Sequence, residues 1–194
     1  MVAEKIAEAE ALEPDHLDFV VLDLETQLLA DEVEGGWGNI EGFGLSVACT
    51  WDAAYGLRDW YEGQVPQLVA CLNKFPTIVG FNILAFDYRV LDPYYSTSVL
   101  QSHTVDILSI FKRQTGHRIK LDDLAQATLG HGKSGVGTLA VKWWREGRKD
   151  KVVSYCRRDV EITRDLFLYG IRNGCLKYPS YGGISTAPVS FATR

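Results

Sequence analysis

"FVVLDLETQ", residues 19–27, is a run of aliphatic and β-branched residues broken by two carboxylates, Asp23 and Glu25. Its length and composition are those of a buried strand. Side chains two apart on a strand share a face, so the two acids project from one side of it as a pair. Like charges so placed repel, and an ionised carboxylate in apolar surroundings is costly unless something pairs it. The pair calls for a cation or a shared proton; otherwise the strand ends here and the acids are solvated or cap a turn.

Outward from that strand, "GFGLSVACTW" (42–51) and "YGLRDWY" (55–61) predict two more strands and hence a meander. "VPQLVACLNKF" places Val65, Leu68, Val69 and Leu72 at helical spacing and is stopped by Pro76; "TIVGFN" (77–82) is a short buried strand. The pattern then turns to helices: "ILAFDYRVL" up to Pro93, "VDILSIFKRQTG" with Asp106 as N-cap, "KLDDLAQATLG" and "TLAVKWWREG". The longest, "DKVVSYCRRDVEITRDLFLYGIRNG", aligns Val152, Cys156, Val160, Thr163, Phe167 and Ile171 on one face, with Gly174 as C-cap. Strands first, then a strand with many helices, predict an α/β fold with a mixed sheet flanked by helices. Residues 1–16 form a polar lead-in with no wide apolar stripe to dock it, the fold occupies 17–178, and 179–194 is a loop-like C-terminal tail.

The chain of 194 residues is 46% hydrophobic and 23% charged, enough for one sizeable core. No run approaches the length of a membrane span, and the acidic first residues fit neither a secretory signal nor a transit peptide. Cys49, Cys71, Cys156 and Cys175 are scattered and form no C-x-x-C pair, which predicts a reduced, cytoplasmic protein without structural zinc. The net charge of −5 hides a segregation: residues 1–102 hold 4 Lys/Arg against 17 Asp/Glu, and residues 103–178 hold 15 against 8. An acidic half and a basic half suit a site that takes cations on one side and a polyanion on the other, and equally suit basic helix faces that are merely solvated.

Two further places carry chemistry. In "VGFNILAFDYRVL" a strand ends at Asn82, the chain turns, and Asp87 comes early in the next helix, where an acid either complements the helix dipole or points back at the strand ends. In "SYCRRDVEI", Tyr155 and Asp159 are four apart and share a helix face at the margin of the apolar stripe. Taken together, Asp23-x-Glu25, Asn82-x-x-x-Phe86-Asp87 and Tyr155-x-x-x-Asp159 resemble the three motifs of the DEDD superfamily of 3′ to 5′ exonucleases, in its tyrosine-bearing branch, on a ribonuclease-H-like fold. More narrowly, "DLETQ", "GFNILAFDYRVL" and "YCRRDVEITRDLFLYG" look like bacterial helicase-associated predicted exonucleases, a likeness that extends over roughly residues 17–178.

The resemblance implies that Asp23, Glu25, Asp87 and Asp159 bind two divalent ions, with Asp23 bridging, and that Tyr155 positions the attacking water. Four hard oxygen donors suit Mg²⁺ or Mn²⁺. It further implies a single-stranded DNA or RNA substrate shortened from its 3′ end to nucleoside 5′-monophosphates, and leaves room for a helicase or other repair or processing partner. Other branches carry a histidine five residues before the last acid; here that residue is Ser154, which places the chain with the tyrosine branch. A catalytically silent nucleic-acid-binding or docking module and a structure-specific endonuclease are the alternatives.

Strand binding needs cations and stacking surfaces. The substrate-binding candidates are Asn82, Lys120, Lys133 and Trp37, with Lys142, Trp143, Trp144, Arg145, Arg148 and Lys149 as a further basic and aromatic run. "ATLGHGKS" (127–134) satisfies the permissive P-loop pattern. A P-loop requires a strand before it and a helix directly after it, whereas here a helical pattern precedes and "SGVGT" follows. An NTPase is thereby disfavoured, and Lys133 is expected to be either a phosphate contact or a solvated loop lysine.

Overall fold

The computed structural model describes residues 17–132 and 138–191. The lead-in expected over 1–16, the proposed phosphate contact Lys133 and the segment that follows it, and residues 192–194 lie outside the described residues.

β1 (Phe19–Thr26), β2 (Leu45–Asp52) and β3 (Gly56–Trp60) form the expected antiparallel meander. β4 (Thr77–Gly80) and β5 (Thr104–Asp106) add in parallel on the other side of β1, giving a mixed sheet of order β3-β2-β1-β4-β5. With its flanking helices this is a ribonuclease-H-like α/β fold. One face of the sheet carries α1 (Val65–Leu72) and α2 (Asp87–Leu91), which pack on Val20, Leu22 and Leu24. The other carries α3 (Ile107–Thr115), α4 (Leu121–Leu129), α5 (Thr138–Arg145) and α6 (Lys149–Asn173), which pack on Phe19 and Val21. The period-2 alternation of β1 thus sorts its side chains into two cores.

β4 pairs with β1 only from Phe19 to Val21. Beyond that point the β4-side edge of β1 is open, and its backbone groups must find other partners. The turn from Phe81 to Phe86 and the start of α2 fill the gap. At that turn Asn82 is left-handed, with φ +66. The carboxylate of Asp106 accepts from the backbone N–H of Asn82 at 2.9 Å and of Leu84 at 3.2 Å, while capping α3 through Ser109 N–H at 3.1 Å. These bonds hold residues 82–84 out of helix, so α2 starts at Asp87 rather than at Ile83 as the apolar pattern suggests. β5 had no signal of its own, because a three-residue strand is too short for a period.

The loop-like expectation for residues 179–194 is corrected. β6 (Cys175–Ser180) and β7 (Gly183–Pro188) form an antiparallel hairpin. Thr128 Oγ1 donates to Lys177 O at 2.8 Å and accepts from Lys177 N–H at 3.0 Å, tying the hairpin to α4. Ala187, Val189 and Phe191 are buried in the same core as α6, so the packed unit runs past Tyr178. A Cβ on Gly170 would stand 2.3 Å from a Phe191 ring carbon, so only glycine lets the two elements approach this closely. Phe191→Ala is expected to destabilise the protein by about 3 kcal/mol. Urea denaturation reads this directly, and a loss below roughly 0.5 kcal/mol would show that the segment is not part of the core.

Candidate functional site

Asp23 and Glu25 continue the row begun by Phe19 and Val21, so their carboxylates face α6. On α6 the buried Asp159 meets them: one ligand atom from each of Asp23, Glu25 and Asp159 lies within 4.8 Å of the other two. The register shift between Glu25 and Thr26 ends the regular pairing of β1 with β2 just past the second acid. Cys156 also contacts β1 from α6. Its buried thiol donates to Asp23 O at 3.3 Å and stands 3.7 Å from Asp23 Oδ2. Burial first, then the neighbouring Cys49, pushes that thiol well above its ordinary pKa, so it stays a protonated donor. The sequence pattern marks Cys156 only as part of the apolar face, and nothing in its spacing signals this contact.

Asp87 is not among the three clustered carboxylates. It sits at the first position of α2, where its carboxyl takes the backbone N–H of Leu24, the residue between Asp23 and Glu25. The early end of β4 is what leaves that N–H available. Burial, followed by the charge of Asp106, holds the Asp87 carboxyl well above the usual carboxylate range, against the pull of its own and Leu24's N–H groups. A group whose folded pKa is raised keeps its proton longer than in the unfolded chain. Stability of the metal-free protein therefore falls as pH rises from the ordinary carboxylate range through the folded pKa of Asp87. Asp87→Asn keeps an acceptor for Leu24 and removes the buried charge. It is expected to flatten that decline and to raise stability at neutral pH by about 1 kcal/mol, roughly 2–4 °C in melting temperature. An unchanged pH profile of melting would mean that Asp87 is not the group responsible.

Two clefts lie nearby, and the clustered acids line only the first. One, of about 930 Å³, is lined by Asp23 and Asp159 together with Trp37, Asn82, Arg118 and Lys120. The other, of about 790 Å³, is lined by Tyr155, Trp143, Ser154, Lys151 and Arg158. Asp122 and Asp123, in the first turn of α4, line both, so the two clefts meet there. Tyr155 is 7% exposed, its ring set edge-on to Trp143 at 6.1 Å, and lies one turn from Asp159. Both residues are buried rather than marginal to the core.

The structure thus brings Trp37, Asn82 and Lys120 to the cleft that also holds Asp23 and Asp159. Trp37 is 69% exposed and contacts Phe43 and Phe86 at 5.5 and 6.2 Å between centroids. Its loop is held by Arg89, which donates from Nε and Nη2 to the two Glu41 oxygens at 2.9 Å each, and by an Arg145–Glu32 pair. Of the second basic and aromatic run, Trp143 lines the Tyr155 cleft, whereas its cations line neither cleft. Arg145 is engaged by Glu32, Lys142 and Arg148 approach Glu146, and Lys149 lies over the Trp144 ring. Arg118, Asp122 and Asp123 are cleft residues that the sequence reading passed over. The P-loop pattern fails on its context: α4 precedes it and closes at left-handed Gly130, so no strand feeds the loop.

Comparison with known proteins gives two findings. The family model described as the RNase_H superfamily matches residues 58–169, more than half of the chain. That span contains Asp87, Tyr155 and Asp159, and β1 with its two acids lies ahead of it. No curated protein matches the chain. Among solved structures, the family B DNA polymerase from the hyperthermophilic archaeon Pyrobaculum calidifontis is similar, with a TM-score of 0.53 at 12% identity over 79% of this chain. The match covers 24% of the polymerase chain, so this protein corresponds to about a quarter of that length, and the likeness is one of fold.

Proposed function

The chain belongs to the RNase_H superfamily, and on that premise we propose that it is a metal-dependent 3′ to 5′ exonuclease of the DEDD kind, in the tyrosine-bearing branch, acting on single-stranded nucleic acid. One observation carries the reading: three carboxylates from β1 and α6 converge within 4.8 Å, and two of them, Asp23 and Asp159, line a cleft that also bears Arg118, Lys120 and Trp37. Acids alone would repel a polyanion, and cations alone would bind it without chemistry. The combination suits a phosphodiester held where hard cations sit.

Asp23, Glu25 and Asp159 form an all-oxygen donor set that fits Mg²⁺ or Mn²⁺, with Asp87 as the fourth acid beside β1. Two such ions supply charge stabilisation at the attacking and leaving oxygens of an in-line displacement. The protein's own part is positioning. Tyr155 orients the water, Trp37 offers a face for a base, and Asn82 and Lys120 contact the strand. A helicase that delivers single-stranded ends is the partner class this reading implies, as in the bacterial helicase-associated exonucleases that the motifs resemble.

The test is incubation with 5′-labelled single-stranded DNA and RNA oligonucleotides in Mg²⁺ or Mn²⁺, resolved on a denaturing gel. A ladder shortening from the 3′ end is the expected result and names the preferred sugar. A single internal cut would replace the exonuclease with an endonuclease, and intact substrates with both metals would leave a binding module.

A further inference from the structure

We infer that Arg118 is the residue that anchors the sugar–phosphate backbone of the bound strand, acting as a donor pair with Asn82 that Asp106 holds in place. The inference rests on the strand-processing reading above and names which group of the cleft takes the strand's oxygens.

The pair is built from the inside out. Asp106 is 2% exposed and spends its carboxylate on three backbone N–H groups, two of them in the turn at residues 82–84. That turn puts Asn82 into the left-handed region, which asparagine tolerates better than most residues. From there Asn82 Oδ1 accepts from Arg118 Nη2 at 3.0 Å. The bond fixes the amide, so the acceptor end of Asn82 is used by the protein and the donor end is what it presents. It engages only one of the five N–H donors of the guanidinium. Arg118 is exposed, and both residues line the cleft that holds Asp23 and Asp159.

A wall that presents donors and positive charge selects acceptor oxygens with negative charge: phosphodiester oxygens first, sugar oxygens next. Lys120 adds a second cation on the same stretch of chain. Trp37 and Phe86, which line the same cleft, offer ring surface for the base of the same nucleotide. The planar fork distinguishes Arg118 from Lys120, because it meets Asn82 and a phosphate at the same time, whereas an ammonium group is a point charge on a flexible stem.

The test is fluorescence anisotropy of a labelled single-stranded oligonucleotide in EDTA, titrated with wild-type protein, Arg118→Ala, Arg118→Lys and Asn82→Gly across a range of salt. EDTA removes turnover, so the readout does not depend on catalysis. Arg118→Ala is expected to weaken binding about tenfold and to make the slope of log K against log salt shallower by about 0.7, the signature of one lost phosphate contact. Arg118→Lys should restore the slope and only part of the affinity. Asn82→Gly, which keeps the left-handed backbone, should weaken binding without changing the slope. Wild-type binding with an Arg118→Ala curve that superimposes on it in both affinity and slope would overturn the role of Arg118 and leave the exonuclease reading standing. Absence of wild-type binding to both DNA and RNA, in EDTA and again with Ca²⁺ in its place, would overturn both.

Discussion

Asp23→Ala is expected to lower strand hydrolysis by about a thousandfold or more while the protein stays folded. The size follows from what the carboxylate does. It stands in the only group of metal-ligating side chains found among the described residues, between Glu25 on its own strand and Asp159 on α6. Charge stabilisation by a bound cation contributes several kcal/mol to phosphoryl-type displacements, and each 1.36 kcal/mol is a factor of about ten in rate. The fold should survive for an electrostatic reason: removing one of three clustered carboxylates relieves repulsion in the metal-free protein. The contact from Cys156 to the backbone oxygen of Asp23 is independent of the side chain. Rates in Mg²⁺ beside thermal melts of both proteins measure the two halves of the claim. Full activity of Asp23→Ala in metal-cleaned buffer after Mg²⁺ is restored would end the proposed mechanism, and a collapse of the melt would make any loss of rate uninformative about chemistry. Asp23→Asn, nearly isosteric, then serves as the second variant, with the same expected fall in rate.

Part of this site is written plainly in the chain. The alternation of β1 sends Asp23 and Glu25 towards one face, and the four-residue step from Tyr155 to Asp159 puts both on one side of α6. Both follow from periods of 2 and 3.6, which local sequence carries. What the sequence does not carry is the relation between elements. The carboxyl of Asp87 meets Leu24 because β4 stops three pairs along β1, and the length of a pairing is a tertiary outcome. Arg118 sits in "TGHRIK", a polar stretch between two helices that has no pattern at all, and it enters the cleft through the bend at Asn82. The basic run from Lys142 to Lys149 shows the opposite error: its composition suggests strand binding, yet its charges are largely spent on Glu32 and Glu146. The hairpin at the C-terminal side had a usable signal in Tyr181-Gly182-Gly183, where residues 181 and 182 make a two-residue turn between the paired Ser180 and Gly183, but its flanking prolines and serines resemble loop composition.

Tyr155→Phe is expected to slow hydrolysis by about a hundredfold with metal uptake and melting temperature unchanged. The substitution removes one hydroxyl and keeps the ring, and the ring is what packs: it is set against Trp143 and is nearly buried. Stability should therefore move by less than about 1 kcal/mol. Tyr155 lines the cleft that joins the acid-lined one along Asp122 and Asp123, with its hydroxyl oxygen buried, one helical turn from Asp159. A hydroxyl that orients the nucleophile is asked here for a factor of about a hundred, roughly 2.7 kcal/mol, well within what positioning supplies. Such a group acts on kcat and leaves KM nearly untouched, because it interacts with the water and not with the strand. Calorimetric titration with Mn²⁺ separates the two roles that Tyr155 could have. Unchanged heats with a hundredfold lower kcat assign it to the water; weakened Mn²⁺ binding would make it a support for Asp159 instead. An unchanged kcat would remove the tyrosine from the mechanism and, with it, the reason for placing this chain in the tyrosine-bearing branch.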